Sequence, residues 1–528
     1  MLLLTALGVA AHAAPPTRAP LNPEFVEAQA HLDPMGLSEI TEEGYVLGLL
    51  PSPLDLSHMT GRPIGVLSPN GMRGFPSTYD LRTLGRLTAV RDQGSCGACW
   101  SFAAMASLES WLLTDGAGTW NLSESNLKEC HGFDWTPCEG GNSTIAMAYF
   151  ARQDGPVSEA DDPYRDYAVG CSPGHPLQKA VGETLLIPDR SGPLDNDAIK
   201  QAVTTYGAVA TEIYWSSTAY SSTNRAYYYS GSAVPNHGVA IVGWNDAYSR
   251  TLFRTSPPGD GAWIVRNSWG IGWGDGGYFY ASYYDTKIGT GNAVFVNAED
   301  PVAGTLYEYD PLGWVTNWGY STNTAWGANI FTAAENGTLV AVGTYASTVD
   351  TEYVVQIRSS LNGTILASQT GTWTLAGYHT VDLDTPVPVT AGQTFVAVVR
   401  YTTPGYSYPV PAECYEAGYS SAAFASPGQS YISSNGSTWS DIVNATWGDP
   451  TCNVCIKAFA TDSGSSDDPV AYWQFDELSG TTAIDSTGTH HGTIVGATRV
   501  AGSPDGSTAL SFSGVGQCVQ VPTSADLG

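Results

Sequence analysis

The stretch Trp100–Leu113 has the clearest helical pattern in the chain, because its apolar residues recur at helical spacing with good helix formers between them. Two shorter helices are predicted at Ser123–Leu127 and Ile145–Arg152, and the second ends before the breaker pair Gly155-Pro156. After about residue 205 the helical spacing gives way to short apolar runs bounded by turn residues.

Two of these runs, Val239–Trp244 and Ala262–Val265, are predicted strands. Helices followed by strands predict an α+β domain of two segregated layers, which we place at residues 75–298. The whole chain is therefore expected to be multidomain, with this two-lobed α+β domain first and all-β sandwich domains after it.

Residues 303–460, hereafter the sandwich domain, contain Val, Thr, Tyr and Trp strands at close intervals and almost no helical periodicity. Asn-Gly pairs, which favour tight turns, begin at Asn336, Asn362 and Asn435. A polar linker of small residues is predicted at 461–469. Residues 470–528 begin a third β unit that is short for a sandwich, so the chain is expected to stop inside a domain.

Residues 1–14 are apolar and contain Ala11-His12-Ala13, which fits a signal-peptidase site. We predict a signal peptide there; the alternative is an apolar N-terminus that is retained. Residues 15–74, hereafter the leading segment, are rich in Pro and are predicted to be a mostly extended pro-segment or a simple linker. Nothing after residue 14 has the apolar run of about 18 residues that a membrane-spanning helix needs.

Composition and charge narrow the possible partners. The 528 residues include 50 Asp and Glu but 21 Lys and Arg, so the formal net charge is −29. Such a chain is repelled by nucleic acid and by anionic membranes. A charged fraction of 13% with 11% aromatic residues indicates β-rich extracellular modules. Nine cysteines in an exported chain predict disulfides plus one unpaired thiol.

Candidate chemistry lies at the start of the first predicted helix. The segment Cys96–Trp100 fits C-G-[SA]-C-[WY], and a Cys99 thiol at a helix N-terminus sits in a field that favours the thiolate. The Cys99 N–H and the Gln93 amide can both donate to an oxyanion. His237 is a candidate base and Asn267 a group to orient it, a neutral Asn being sufficient for a Cys–His ion pair. A lone Cys is more often a core or disulfide residue than a nucleophile. The prediction of a catalytic site therefore depends on all of these candidate residues together.

Four separated blocks together resemble the papain family of cysteine peptidases over about residues 75–297. The matching blocks are Gly94–Phe102, Cys138–Gly141, Asn236–Gly238 and Asn267–Gly274. The resemblance implies a helical and a β-rich lobe with a cleft between them, and peptide-bond hydrolysis without a cofactor or metal. It implies that Cys99 is the nucleophile, His237 the general acid/base, Asn267 the orienting residue and Gln93 an oxyanion donor.

The same resemblance implies further roles in substrate binding. Gly140 and Gly141 match the pair whose backbone binds an extended peptide, and Trp269 matches the aromatic residue that shields the Asn–His hydrogen bond, although it could equally be ordinary core. Glu212 matches the strand that lines the subsite for the second residue before the cleaved bond, where a carboxylate favours Lys or Arg. A shift of one residue along the strand turns Glu212 outward instead.

Cysteine pairing is implied by the resemblance as well, since spacing alone does not fix it. The implied disulfides of the helical lobe are Cys96 with Cys138 and Cys130 with Cys171. Cys99 then stays free. Of the later cysteines, Cys452 and Cys455 have zinc-ligand spacing but no second pair nearby, so a disulfide from Cys414 to one of them is favoured; Cys518 is left unassigned.

The two later β units also carry resemblances. The sandwich domain resembles the lectin-like domain that follows the peptidase in some secreted prokaryotic relatives, through Leu306–Trp314 and Cys455–Phe459. Residues 470–528 resemble the opening strands of a laminin-G or concanavalin-like jelly roll. Trp and Tyr can stack on sugar rings but also fill sandwich cores, so carbohydrate binding stays open. Asn-x-Ser/Thr triplets, Asn142 among them, are glycosylation acceptors only in a cell that glycosylates.

The combined prediction is a secreted or cell-surface cysteine endopeptidase that acts on protein or peptide substrates through a thioester. Its β modules are expected to bind carbohydrate or surfaces, and neither nucleic acid nor a membrane span is expected. The alternative is a surface adhesion or carbohydrate-binding protein whose peptidase domain is vestigial. The intact set of Cys99, His237, Asn267 and Gln93 favours the enzyme.

Overall fold

The computed structural model describes residues 15–31, 39–65, 74–444, 446–462, 471–473, 475, 477, 479–485, 490–501, 508–514 and 516–522. The predicted signal peptide and nearly all of the predicted linker lie outside these residues. The chain divides into two compact units, the first ending at Thr461 and the second beginning at Asp462.

The leading segment contains regular structure where a mostly extended chain was expected. Its elements are strand β1 (Thr17–Arg18), helix α1 (Pro23–His31) and a 3₁₀ turn (Ser57–Met59). Pro23 is the first residue of α1, where its missing N–H costs nothing and its fixed φ favours the helix.

The α+β domain is built around one buried helix. Its helices are α2 (Cys99–Asp115), α3 (Glu124–Cys130), α4 (Ser143–Ala151) and α5 (Asp197–Tyr206). The three predicted helices thus correspond to α2, α3 and α4, with ends displaced by a few residues. Every α2 residue from Cys99 to Leu112 is buried, so this helix is surrounded by protein on all sides.

The strands of this domain form a sheet centred on the strand that begins at His237. They are β2 (Thr78–Asp80), β3 (Ala180–Ile187), β4 (Val209–Ile213), β5 (Tyr220–Ser221), β6 (Ala226–Tyr227), β7 (His237–Asn245), β8 (Ala262–Arg266), β9 (Tyr278–Ser282) and β10 (Thr290–Glu299). Short 3₁₀ turns lie at Ser217–Ala219 and Arg250–Leu252. Strand β7 pairs antiparallel with β4 and β8.

The sandwich domain consists of strands, as predicted. They are β11 (Gly304–Tyr307), β12 (Thr316–Gly319), β13 (Thr324–Thr332), β14 (Gly337–Ala346), β15 (Thr351–Arg358), β16 (Ile365–Trp373), β17 (Ala376–Val389), β18 (Thr394–Thr402), β19 (Val410–Glu413), β20 (Ser430–Ser433), β21 (Ser440–Asp441), β22 (Asn453–Val454) and β23 (Ile456–Asp462). A six-stranded sheet (β16-β15-β18-β13-β20-β21) packs on strands β11-β23-β14-β17, and Phe331, Phe395, Leu339 and Val381 fill the space between them.

The two domains of the first unit share one sheet. Strand β17 pairs antiparallel with β3, with Ala376 opposite Leu186 and His379 opposite Glu183, so a 13-stranded sheet runs from one domain into the other. The leading segment joins a second sheet, in which β1 pairs with β12 and then come β19 and β22.

The second unit contains β24 (Thr482–Ala483), β25 (Gly492–Val495), β26 (Thr498–Ala501), β27 (Thr508–Ser511) and β28 (Cys518–Gln520). Strands β24, β25 and β28 form one small sheet, and β26 and β27 form a hairpin. Among the described residues from 471 to 475, Trp473 forms an isolated bridge with Asp485. The jelly-roll resemblance stays a prediction.

Three disulfides hold the first unit. They join Cys96 to Cys138, Cys130 to Cys171 and Cys414 to Cys452. The expectation of one unpaired thiol is wrong, because Cys99, Cys455 and Cys518 are all free. Cys455 is enclosed in the sandwich core, where it has no thiol partner. The disulfide of Cys452 also removes the alternative of a Cys452–Cys455 zinc pair.

Candidate active site

Helix α2 begins at Cys99 and therefore presents its positive end to the thiol. The Cys99 Sγ accepts a hydrogen bond from the Gly238 N–H at 3.3 Å. Burial nevertheless raises the pKa of the Cys99 thiol to about 11, against the lowering effect of the backbone N–H groups of Gly238, Gly48 and Trp100. Gly48 belongs to the leading segment, so this segment reaches the candidate nucleophile.

The adjacent strands β7 and β8 bring His237 and Asn267 together. Strand β7 begins at His237, and strand β8 ends at Arg266, just before Asn267. The His237 Nε2 lies 2.8 Å from the Asn267 Oδ1, so Nε2 donates to the amide oxygen. The buried Nδ1 then carries the free lone pair and has no hydrogen-bond partner among the described residues. Burial lowers the pKa of His237 to about 4, although the Asn267 hydrogen bond acts in the opposite direction.

The pKa shifts of Cys99 and His237 belong to the form of the protein in which the leading segment is present. Burial disfavours the ion pair assumed in the sequence analysis, because it raises the thiol pKa of Cys99 and lowers the imidazole pKa of His237. The leading segment contributes to this cover, because the Gly48 N–H contacts the Cys99 thiol and the Leu49 N–H donates to the Asn236 carbonyl oxygen, next to His237, at 3.2 Å.

Trp269 lies against the Asn–His pair. Its ring stacks on the His237 imidazole with centroids 4.9 Å apart, and Tyr45 of the leading segment stacks on Trp269 with centroids 4.8 Å apart. The Tyr45 hydroxyl also donates to the Trp269 carbonyl oxygen at 3.0 Å. Trp269 is 1% exposed, so it both shields the pair from water and contributes to the core.

The Gln93 side chain is held in one orientation. Its Oε1 accepts hydrogen bonds from the Ser268 hydroxyl at 2.6 Å and the Trp269 indole N–H at 3.2 Å. These bonds leave Nε2 as the donor group, and it donates to the carbonyl oxygens of Val46 at 2.8 Å and Cys96 at 2.9 Å. A peptide carbonyl of the leading segment is therefore bound by the amide that the sequence analysis assigned to an oxyanion.

Gly140 and Gly141 bind the leading segment through the backbone. The Gly141 N–H donates to the Gly48 carbonyl at 2.9 Å, and the Leu50 N–H donates to the Gly141 carbonyl at 3.0 Å. The absence of side chains allows this approach, because a Cβ on Gly140 would lie 2.6 Å from the Gly48 oxygen and one on Gly141 would lie 2.4 Å from the Trp100 ring. The pair thus forms one side of a groove that accepts an extended chain.

Asn142 and Tyr419 are site residues that the sequence analysis missed. The Asn142 Oδ1 accepts hydrogen bonds from the N–H groups of Thr144 and Ile145 and so caps α4, while its Nδ2 donates to the Leu50 carbonyl at 3.0 Å. Asn142 is 2% exposed, so the glycosylation alternative is wrong for this residue. Its position directly after Gly140-Gly141 and before a predicted helix was the available signal. Tyr419 belongs to the sandwich domain, and its hydroxyl lies 2.8 Å from the Thr144 Oγ1. No sequence pattern around Tyr419 indicated that it would contribute to this site.

Glu212 lines a cavity beside this groove. The cavity holds about 360 Å³ and is also lined by Leu54 and Met59 of the leading segment and by Asp189, Lys287 and Gly291. Burial raises the pKa of Glu212 to about 8, and the nearby carboxylates of Asp189 and Glu24 add to the rise while Lys287 opposes it. The Lys287 ammonium pairs with Glu24 of the leading segment at 2.9 Å. The Glu212 side chain therefore faces the groove side of β4, in keeping with the subsite alternative.

No helix among the described residues is long and apolar enough to cross a membrane. Within the same ranges, no group of three or more His, Cys, Asp or Glu side chains is arranged to hold a metal ion.

Both domains of the first unit are similar to known protein families. Residues 75–297 match the model of the papain family of cysteine proteases, and residues 306–460 match the model of a lectin-like domain. A cathepsin L-like peptidase of Aedes aegypti is 34% identical over 224 residues, which are 41% of this chain and 61% of that enzyme. Mouse (Mus musculus) cathepsin S is 34% identical over 212 residues, which are 39% of this chain and 58% of that enzyme. The chain thus spans about three fifths of the length of these curated relatives.

Two solved structures cover both domains. The cysteine protease and lectin-like domains of Cwp84, a surface layer associated protein of Clostridium difficile, are 25% identical with a TM-score of 0.70, covering 86% of this chain and 99% of that one. Clostridial Cwp84 after propeptide cleavage is 28% identical with a TM-score of 0.65, covering 74% of this chain and 100% of that one. The similarity therefore extends to the order of the two domains.

Proposed function

We propose that this chain, which matches the models of the papain family of cysteine proteases and of a lectin-like domain, is the precursor of a secreted cysteine endopeptidase. The observation that supports this most strongly is the hydrogen-bonded pair of His237 and Asn267 beside a free Cys99 at a helix N-terminus. The substrates are proteins or peptides, as for the relatives whose domain matches.

In the proposed reaction the Cys99 thiolate attacks the carbonyl carbon of a peptide bond and forms a tetrahedral oxyanion. The Gln93 Nε2 and the Cys99 N–H donate to this oxygen. The His237 imidazolium gives its proton to the leaving amine as the C–N bond breaks, which leaves a thioester on Cys99. Water then attacks the thioester and His237 takes one of its protons. The C–S bond breaks and releases the acid product, which leaves the Cys99 thiolate beside the His237 imidazolium, as at the start of the cycle. Asn267 keeps the imidazole oriented throughout.

We infer that the leading segment keeps the precursor latent. It supplies the Val46 carbonyl bound by Gln93, the backbone bonded to Gly141 and the Tyr45 ring over Trp269, so it fills the groove that a substrate needs. A related structure is described as determined after propeptide cleavage, which supports removal of such a segment. Export is supported by the apolar residues 1–14, by three disulfides and by the surface layer association of Cwp84.

For the sandwich domain we propose binding to a carbohydrate or a cell surface, in line with the lectin-like model that it matches. Tyr415 and Phe424 are exposed aromatic residues on its loops and offer flat faces for a sugar ring. Glycan-array binding of the full chain, compared with a Tyr415→Ala, Phe424→Ala double variant, tests this part. Equal binding by both proteins would move any sugar site elsewhere on the domain.

The test of the enzyme uses a thiol-alkylating epoxide and a fluorogenic peptide on the chain after release of the leading segment under reducing conditions. We expect one labelled residue, Cys99, and turnover that Cys99→Ser abolishes while the circular dichroism spectrum is unchanged. Cys518→Ser is the matched control, because it removes an exposed free thiol far from the chemistry in sequence. Turnover by Cys99→Ser, or wild-type protein that neither labels nor turns over, would refute the proposal, and the second outcome would favour the vestigial adhesion protein.

A further inference from the structure

The leading segment contacts the sandwich domain as well as the active site. Strand β1 pairs antiparallel with β12, with Thr17 opposite Gly319 and Arg18 opposite Trp318. The Ala19 N–H extends this pairing by donating to the Asn317 carbonyl at 2.8 Å. The segment thus adds a strand to the edge of a sheet, a mode of binding in which the backbone supplies affinity and side chains supply selectivity.

The selective contact is made by Arg18. Its Nη2 pairs with the Glu416 carboxylate at 2.7 Å, its Nη1 lies 3.9 Å from the Asp449 carboxylate, and its Nε donates to the Thr316 hydroxyl at 3.1 Å. The Arg18 side chain is 26% exposed and that of Glu416 16%, so water screens this pair only in part. We refer to Thr316–Gly319, Glu416 and Asp449 as the Arg18 surface.

Further contacts continue along the same side of the sandwich domain. The Phe25 ring packs edge-on against Tyr419 at 5.8 Å. Later in the segment, the His58 ring stacks on Tyr406 at 3.9 Å, and its Nε2 lies 3.0 Å from the Ser347 carbonyl oxygen. The stretch that fills the active site, Tyr45–Leu50, therefore lies between two points of attachment to the sandwich domain.

We propose that the Arg18 surface is a docking surface for an extended segment with a basic side chain, and that its occupant in this protein is Thr17–Ala19 of the leading segment. The inference rests on the proposed latency of the precursor and adds that the sandwich domain enforces it. A segment bound at two sites rebinds at high effective concentration whenever one site opens. Loss of the Arg18 contact therefore increases the time for which the groove is open, although Arg18 touches no active-site residue.

The experiment measures the rate at which an epoxide alkylates Cys99 in full-length protein before any processing. Arg18→Glu and Glu416→Arg each place like charges together, and each is expected to accelerate labelling about fivefold, the effect of losing one partly exposed, hydrogen-bonded ion pair. The exchange variant, Arg18→Glu with Glu416→Arg, restores the pair and is expected to return the rate towards wild type. Glu352→Arg is the matched control, since it makes the same charge change at an exposed position on β15.

Wild-type labelling rates in both single variants, or an exchange variant that labels as fast as they do, would overturn the proposal. If a charge reversal prevents folding, Arg18→Gln and Glu416→Gln remove the pair without repulsion and are expected to accelerate labelling by a smaller factor; unchanged rates there count against it equally. Failure of the proposed endopeptidase function can be told apart from failure of this docking proposal. If the endopeptidase function is wrong, the processed wild-type protein does not hydrolyse peptides, whatever the labelling rates of the precursor variants.

Discussion

At the scale of single residues, the candidate site contains two titratable groups whose protonation depends on what covers them. Cys99 and His237 lie beneath Tyr45–Leu50, and burial there disfavours both the thiolate and the imidazolium. We expect that removal of the leading segment admits water and lets the two charges stabilise each other, so that the thiol pKa falls and the imidazole pKa rises. On this hypothesis the leading segment suppresses the reactive ionisation state in addition to filling the groove.

This coupling predicts different pH profiles for alkylation of Cys99 in the two forms of the chain. In the full-length protein the thiol pKa of about 11 means that the thiolate fraction, and with it the labelling rate, rises continuously as pH increases from 6 to 10. The processed enzyme is expected to label at a nearly constant rate from mildly acidic pH upward, because its ion pair is already formed. Rates measured across pH by mass spectrometry check this, and superimposable profiles would contradict it.

A second residue-scale prediction concerns Glu212 in the processed enzyme. Release of the leading segment removes Glu24 and is expected to leave the Glu212 carboxyl group and Lys287 in an open cavity beside Asn142. We predict a preference for Arg or Lys at the second residue before the cleaved bond, and Glu212→Gln should lower kcat/KM on Arg substrates relative to Leu substrates by about tenfold.

The charge on Glu212 also gives this preference a pH dependence. In the covered site, burial raises the pKa of Glu212 to about 8. Release of the leading segment removes Glu24 and part of the burial, so we expect a lower pKa in the processed enzyme and a preference for Arg that increases as pH rises through that pKa. Glu299→Gln, an exposed change on β10, is the control. An Arg-to-Leu ratio that Glu212→Gln leaves unchanged would show that Lys287 neutralises the carboxylate or that specificity arises elsewhere.

At the scale of elements, the start of α4 combines a structural and a binding role in one side chain. The Asn142 Oδ1 caps the helix, and the Nδ2 binds the extended chain in the groove. Tyr419 supports this residue from the sandwich domain, since its hydroxyl lies 2.8 Å from the Thr144 Oγ1 and 3.4 Å from the Asn142 Oδ1. The two roles belong to different atoms and can therefore be separated by substitution.

Asn142→Asp keeps the cap acceptor and loses the donor, whereas Asn142→Ala loses both. We predict that the Ala variant lowers the free energy of unfolding by about 1–2 kcal/mol, the usual cost of a lost N-cap, and raises KM in the processed enzyme. The Asp variant should raise KM with little loss of stability, because a carboxylate is favourable at a helix N-terminus. Urea denaturation measures the stability of both variants, and steady-state kinetics measure their KM. If the Asp variant has the wild-type KM, Asn142 caps the helix but does not bind substrate.

The elements also show where sequence patterns suffice. Helix α2 was predictable because its length, apolar spacing and good helix formers all favour one structure. Helix α1 was missed because the many Pro residues of the leading segment indicated an extended chain. The Pro within α1 is its first residue, Pro23, a position at which Pro favours a helix. The contact of His237 with Asn267 was predictable, because sequence blocks that resemble one family surround both residues; the catalytic roles of these two residues and of Cys99 stay predictions.

At the scale of the whole molecule, the arrangement of the domains depends on pairings that no local pattern records. Strand β3 of the α+β domain pairs with β17 of the sandwich domain, nearly two hundred residues later, and the leading segment pairs with β12 across a still larger interval. Many strands of similar composition compete for such pairings, so register and neighbour choice are decided by tertiary packing. The contribution of Tyr419 to the groove was unpredictable for the same reason.

The shared sheet predicts that the two domains of the first unit unfold together. Gly377 makes the junction possible, because its φ of +119° is unfavourable for other residues and a Cβ there would lie 1.9 Å from the Thr184 carbonyl oxygen. Gly377→Val should therefore separate β17 from β3, cost about 2–4 kcal/mol, and split the main calorimetric transition of the full chain into two. Gly192→Val is the control, since a Cβ at Gly192 meets no atom within 4 Å. A single transition with an unchanged midpoint in Gly377→Val would mean that the junction transmits no stability between the domains, and that each folds on its own core.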